Sequence, residues 1–236
     1  PRGNKKMLVA FSDWHIGALS NFRGNEFNYE IAKKRINHFV EEVISEAKIR
    51  GIRDFIVIDF GDLVEGSYMR PNQEFEFPFS EQLTKAMKLM FEAILKLGNY
   101  GNVDFYTLPG NHDRINGDKR ANIQGDTAAR IVNAFVTETI ELFQERFKSP
   151  RINVIPYEGE ERFLKINGKT ILVTHGDSLP GRHEQKLEKA NARMKNEFID
   201  ILIHGHLHTF GVYEGSYGRL VVSCGSLPGY NVYSYK

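Results

Sequence analysis

The chain has 236 residues, 41% of them hydrophobic and 26% charged, with a formal net charge of +1. This length allows one large domain or two small ones, and the balance is that of a globular protein rather than of one gripping nucleic acid by phosphate electrostatics alone. Cys224 is the only cysteine, which excludes an intrachain disulfide and the cysteine spacings of zinc fingers; a cytoplasmic location is expected, and no apolar run is long enough to span a bilayer.

Pro1 to Asn4 form a polar lead-in without the features of a signal peptide. Lys6 to Ser12 form an apolar run suited to a buried strand. Asn28 to Arg50 carry Ala32, Ile36, Phe39, Val40, Val43 and Ala47 at helical spacing, with Gly51 as the stop, and Lys33-Lys34-Arg35 on a solvated face. Asp54 to Phe60 predict a second strand. Ser80 is the expected cap of a helix through Leu97 that Gly98 ends. Val103 to Leu108 predict a third strand, and Asp126 to Phe147 a third helix. Strands follow at Asn153 to Pro156, Arg162 to Ile166 and Lys169 to Thr174, the last two joined by an Asn167-Gly168 hairpin turn. Glu184 to Asn196 predict a short helix; Phe198 to Ile203, His208 to Glu214 and Arg219 to Ser223 predict further strands. A β-α-β-α-β half thus precedes a strand-rich half. Both halves contribute candidate ligands, so the expectation is a single domain over residues 1–236, without a separate capping domain.

Polar residues of metal-ligand type follow these apolar runs: Asp13-Trp14-His15, Gly61-Asp62, Gly110-Asn111-His112-Asp113, Thr174-His175-Gly176-Asp177 and His204-Gly205-His206-Leu207-His208. In an extended segment, residues two apart share a face, so Asp13 and His15 can point together while Trp14 packs away; His206 and His208 share that relation. Asp13, His15, Asp62, Asn111, His175, His206 and His208 make seven candidate ligands, too many for one tetrahedral zinc. Two cations sharing the Asp62 carboxylate would use them, an arrangement suited to in-line displacement at phosphorus. His112 is the candidate general acid, and Asp113 the candidate group to orient it or raise its pKa. His38 and His204 are read as structural, and His183 as a loop residue.

The ordered set D-x-H, G-D, G-N-H-D, H and G-H-x-H, from Asp13 to His208, resembles the calcineurin-like metallophosphoesterase superfamily. The resemblance implies an α/β, four-layer αββα sandwich of two mixed sheets flanked by helices, with a dinuclear metal site at the strand ends. It implies that Asp13, His15 and His208 bind one metal and Asn111, His175 and His206 the other, with Asp62 bridging and His112 catalytic. Mn2+ is the expected metal, with Zn2+, Fe2+ or Ni2+ compatible with the ligand set.

Ser12-Asp13-Trp14-His15-Ile16-Gly17 is similar to the opening S-D-W-H-L-G of SbcD-type DNA nucleases. Gly61-Asp62-Leu63-Val64-Glu65-Gly66 departs from their G-D-x-F-D, and neither a capping region nor a segment that binds an SbcC-type ATPase partner is expected after His208. The D-R-G and G-N-H-E of protein phosphatases are absent. His175-Gly176-Asp177 resembles an element of UDP-sugar lipid pyrophosphatases, which carry G-N-R-D where this chain has His112. The expected function is a phosphodiesterase in which a metal-bridging hydroxide attacks phosphorus and His112 protonates the leaving oxygen, with DNA as substrate. The alternatives are a small-substrate phosphoesterase (nucleotide phosphatase, cyclic-nucleotide phosphodiesterase or pyrophosphatase) and a non-catalytic binding subunit. Arg114, Arg182 and His183 are candidate substrate contacts, with Gly117 to Arg120 beside them. The aromatic stretch from Glu65 to Phe79 reads equally as an anchored surface loop or as a lid or homodimer contact.

Overall fold

The computed structural model describes residues 5–69, 74–123, 125–147, 151–193 and 198–231. The first half builds β1 (Lys6–Phe11), a hairpin of β2 (Ser20–Phe22) and β3 (Asn25–Phe27), α1 (Tyr29–Arg50), β4 (Asp54–Asp59), α2 (Phe79–Tyr100), β5 (Asn102–Thr107), α3 (Ala128–Phe147) and β6 (Ile152–Val154). The second half builds β7 (Glu161–Ile166), β8 (Lys169–Thr174), α4 (Glu184–Arg193), β9 (Ile201–His204), β10 (Gly211–Gly215) and β11 (Arg219–Ser223).

Among the described residues, two larger sheets form beside the two-stranded β2–β3 hairpin, ordered β1-β4-β5-β6 and β10-β11-β9-β8-β7. The first is wholly parallel, where a mixed sheet is implied by resemblance, because a helix returns the chain before each of its later strands. The second is mixed: β7–β8 and β10–β11 are antiparallel hairpins, while β8, β9 and β11 are parallel.

Alternation along the strands sorts side chains into layers. Phe55 and Val57 of β4 join Val9, Phe105 and the inner faces of α1, α2 and α3 in one core. Ile56 and Ile58 turn the other way and meet Leu164, Ile171, Val173 and Ile203 of the second sheet. Leu172, Leu202 and Val221 point outward from that sheet onto Leu187 and Ala190 of α4. The α/β architecture is therefore two sheets packed face to face with helices on the outside. Each fully buried chain of this size contributes about 1.5–3 kcal/mol. Among the described residues, no helix is long and apolar enough to cross a membrane.

Local chemistry explains the element ends. Asn28 caps α1 by accepting from the Ile31 amide at 3.0 Å, and Gly51 closes it in the left-handed region. α2 starts earlier and ends later than its caps predict: Pro78 precedes it, Ser80 lies inside it, and Gly98 is a buried interior residue. The stop is Gly101, where any Cβ would strike the Arg53 carbonyl. Asn167 and Gly168 take φ of 50° and 75°, the hairpin geometry expected of them. β9 begins at Ile201 rather than Phe198, which is exposed, and β10 begins at Gly211 rather than His208. Arg35 is not on a solvated face: it is half-buried and donates to the Leu227 carbonyl and the Asn25 side chain. The lead-in at Pro1 to Asn4 and the end of the predicted fourth helix at 194–197 lie outside the described residues.

Candidate metal centre

β1, β4, β5, β8 and β9 all deliver polar residues just past their C-terminal ends, and the layers bring these together. Asp13, His15, Asp62 and His208 place one ligand atom each within 4.8 Å of one another, and so do Asp62, His175 and His206. Asp62 belongs to both groups. In the first cluster, His208 Nε2 lies 3.1 Å from Asp13 Oδ1 and 3.0 Å from His15 Nε2. In the second, His175 Nε2 lies 3.2 Å from Asp62 Oδ2 and 3.1 Å from Asn111 Oδ1. Two imidazole nitrogens facing each other at 3.0 Å, beside carboxylates, form the donor set of a divalent transition metal.

The rings are aimed from behind. His175 Nδ1 donates to the Phe60 carbonyl at 2.8 Å, and His15 Nδ1 meets Glu65 Oε2 at 2.6 Å. Holding Nδ1 leaves Nε2 pointing into the clusters, the bracing that metal-binding histidines need. The residues present thus fit two metals.

Backbone strain accompanies this aim. Asp13, His15, Asp62, His206 and His208 all have positive φ, between 47° and 69°. The extended geometry expected at Asp13-Trp14-His15 and at His206 to His208 is therefore wrong, although the side chains still converge. Left-handed backbone for non-glycine residues is costly and is retained where the surroundings fix it. Here Asp13 N donates to the Gly61 carbonyl and His15 N to the Asp62 carbonyl. Trp14 packs into the core against Phe11, as alternation suggests. At Gly110 and Gly205 a Cβ would collide with the Asp62 and Asp13 carboxylates, so these motif glycines admit no side chain.

His112 sits over the first cluster, its ring 4.6 Å from that of His15, and its Nδ1 is bonded to the Glu65 carbonyl at 2.7 Å. Nε2 is left for proton exchange. Asp113 does not orient this ring. Its carboxylate accepts from the amides of Gly110 at 2.7 Å, Asp62 at 2.8 Å and Leu63 at 3.2 Å, tying the second and third strand-end loops together. Sequence reasoning missed Glu65, buried and in contact with both His15 and His112; its position after Gly61-Asp62 was the available signal.

The electrostatics follow from burial of opposite charges. Burial disfavours the charged form of His15, yet Glu65, Asp13 and Asp62 outweigh it and raise its pKa to about 10. His175 is raised to about 10 in the same way by Asp62, Asp13 and Asp177. Burial opposes ionisation of Asp13, but hydrogen bonds from His15 and His208 hold it well below the usual carboxylate range. Burial and the neighbouring His15 lower His112; burial and His175 lower His206 to about 4. Burial and the Asp62 charge raise Asp113 to about 7.

The expected substrate contacts are less well gathered. Arg114 lies beside the centre and pairs with Asp177 at 3.2 Å. Arg182 is exposed, and His183 stacks on Tyr213 of β10 at 3.6 Å. His204 is wholly buried with Nδ1 on the Gly205 carbonyl, a packed residue, and His38 is exposed on α1. Of the 65–79 stretch, Phe75 pairs with Ala18 and Phe77 stacks edge-on against Tyr29, while Tyr68 is exposed beside Gly117. Residues 70–73 lie outside the described residues.

Residues 7–210 match a family model described as calcineurin-like phosphoesterase. No curated protein matches the chain. Among solved structures it is similar to wild-type Vps29 complexed with Zn2+ from Entamoeba histolytica, with 13% identity and a TM-score of 0.43, covering 96% of this chain and 77% of that one. It is also similar to YfcE, a phosphoesterase from E. coli (13% identity, TM-score 0.43, 94% of this chain and 79% of that one). A dimetal phosphatase from Danio rerio shows 12% identity and a TM-score of 0.47, with 94% and 87% covered.

Proposed function

Since the chain belongs to the calcineurin-like phosphoesterase family, we propose that it is a metal-dependent phosphodiesterase whose substrate is DNA, working as one catalytic domain in the cytoplasm. The observation that carries the hydrolytic reading is the pair of clusters sharing Asp62, with ring nitrogens braced so that Nε2 faces inward. Asp13, His15 and His208 would hold one divalent cation, and Asn111, His175 and His206 the other, with Asp62 common to both. Bound there, two cations supply Lewis-acid activation of water and neutralise phosphoryl charge, with Mn2+ the expected metal.

The chain's own residues supply the rest. His112, fixed through Nδ1 on the Glu65 carbonyl, takes up and releases a proton at Nε2. A positioned imidazole of this kind can donate that proton to a departing sugar oxygen. Glu65 positions both His112 and His15. Arg114 can reach a flanking phosphate by exchanging its Asp177 partner. The Ser12 to Gly17 motif supports DNA as substrate.

A second reading, a small nucleotide phosphoester as substrate, is favoured by how the candidate contacts are disposed: Arg114 is already paired with Asp177, Arg182 is exposed, and His183 stacks on Tyr213. The deciding experiment is a substrate panel with Mn2+ on wild type and His112→Ala. The expected result is degradation of linear and single-stranded DNA, reduced by about 10²–10⁴-fold in His112→Ala with both metals retained. Turnover of bis-p-nitrophenyl phosphate and mononucleotides without DNA cleavage replaces DNA with the second reading. A chain that holds no metal at saturating Mn2+ is a binding subunit instead.

A further inference from the structure

Lys186 is a buried cation outside both ligand clusters. It sits on α4 at 2% exposure, and its ammonium donates to the carbonyls of Gly176 and Leu179. Both carbonyls belong to the loop that leaves β8 just after His175. An apolar side chain would fill the same space without the cost of burying an ammonium, which points to a task for its donors. α4 gives that task a firm base. Leu187 and Ala190 pack on Leu172, Leu202 and Val221 of the second sheet. At the start of the helix, Glu184 accepts from the amide and the hydroxyl of Ser216, at 3.2 and 3.1 Å, in the turn between β10 and β11.

The two carbonyls mark the ends of one turn. Its own bond, from the Leu179 amide to the Gly176 carbonyl, is long at 3.4 Å, and Gly176 holds a φ of 102°. Lys186 therefore clasps a turn whose internal bond is weak. What the turn carries is Asp177, whose carboxylate meets Arg114 at 3.2 Å. Arg114 in turn follows Asn111-His112-Asp113 at the metal centre. His175 is held by other means: the Phe60 carbonyl fixes its ring, and Thr174 before it is paired in register with His204. The tie thus acts on the Asp177–Arg114 pair rather than on a metal ligand.

We propose that Lys186 is a positioning residue for substrate: from α4 it fixes the turn at 176–179, and through Asp177 it sets where Arg114 presents its guanidinium to a phosphate group. This rests on the reading of Arg114 as a phosphate contact. Lys186 itself touches no substrate, so its loss weakens binding and leaves the chemical step and the metals in place.

The test is a double-mutant cycle on the Mn2+-loaded full chain, read by calorimetry of inorganic phosphate binding and by hydrolysis of bis-p-nitrophenyl phosphate. Arg114→Ala should weaken phosphate by roughly tenfold or more. Lys186→Met should weaken it by about 3–10-fold and raise KM to match, with kcat and bound manganese nearly unchanged. Added to Arg114→Ala, it should cost less than about twofold more. Lys186→Gln, which keeps an N–H donor, replaces Lys186→Met if that variant does not fold. A lysine that merely stabilises the fold would lower Tm without this dependence on Arg114. The proposal is overturned by unchanged or tighter phosphate binding in the Lys186 variant, by an equal loss with and without Arg114, by loss of manganese, by a fall in kcat at constant KM, by a wild type that binds no phosphate, or by failure of both Lys186 variants to fold. Arg114-dependent coupling in a chain that hydrolyses nothing leaves the positioning role standing and removes the phosphodiesterase reading; hydrolysis without coupling removes the positioning role alone.

Discussion

The two clusters of the metal centre are alike in donors and different in support. The first, around Asp13, His15 and His208, is braced by a charged side chain, since Glu65 Oε2 holds His15 Nδ1. The second, around Asn111, His175 and His206, is braced by backbone at its histidine, since Phe60 contributes a carbonyl to His175; the Asp113 carboxylate ties the loops that carry Asp62 and Asn111 and so supports both clusters. A side-chain brace can be altered without moving the chain, whereas the backbone brace is part of the fold. The first cluster is therefore tunable and the second is built in.

The largest effect tests what the clusters share. Asp62→Ala should cost ~10³-fold or more in kcat/KM, about 4 kcal/mol of transition-state stabilisation, with both metals lost by elemental analysis. Loss of only one metal would show that Asp62 serves a single cluster. Next is Asp113→Ala, which leaves three buried amides without their acceptor and should cost roughly 3 kcal/mol or more in thermal or urea unfolding. An unchanged Tm would show that these loops need no common acceptor. Glu65→Gln should be milder: a roughly 10–100-fold weaker first metal with the second untouched and little change in Tm. Equal weakening of both metals would remove the distinction between the braces.

The smallest difference is expected in the response to pH. Each cluster has one imidazole raised to about 10, His15 and His175. A raised folded pKa gives stability that is full below the unfolded value of about 6.5 and is lost as pH rises through about 10. Asp113, raised to about 7 from 3.8, adds a decline in the same direction between about 4 and 7. Below about 6.5 this is opposed by His206, lowered to about 4, so the decline is expected above neutrality: the metal-free protein should melt at lower temperature as pH rises from about 7 to 10. Titration calorimetry in buffers of different ionisation enthalpy should find similar proton release for the two cations; release from one cluster alone would contradict the shared pattern.

Much of this was legible in the sequence. Apolar runs that stop at aspartate, asparagine or histidine marked the strand ends, and Asn28 and Gly51 marked the bounds of α1. Other features depend on distant partners. Gly98 reads as a helix stop, yet it packs inside α2, and the actual stop, Gly101, is set by the Arg53 carbonyl from another loop. The left-handed backbone at Asp13 has no local signature, because hydrogen bonds to Gly61 and Leu227, both distant in sequence, hold it. Asp113 and Glu65 are both acids beside a motif, and only the packing of the loops shows that the first serves backbone and the second serves rings.

Asp13 is completed from far along the chain. His208 Nε2 reaches its carboxylate, the His206 amide donates to it, and the Leu227 amide donates to its carbonyl. Arg35 of α1 fastens the same late stretch at the Leu227 carbonyl. During synthesis the amino-terminal sheet can form early, but the first cluster lacks its fourth candidate ligand, His208, until this stretch has emerged and docked. Contacts so distant in sequence close late in folding. Loading of that cluster is thus a checkpoint on assembly: a truncated or half-folded chain offers a cation only Asp13, His15 and Asp62, a weaker trap that leaves scarce metal for finished molecules.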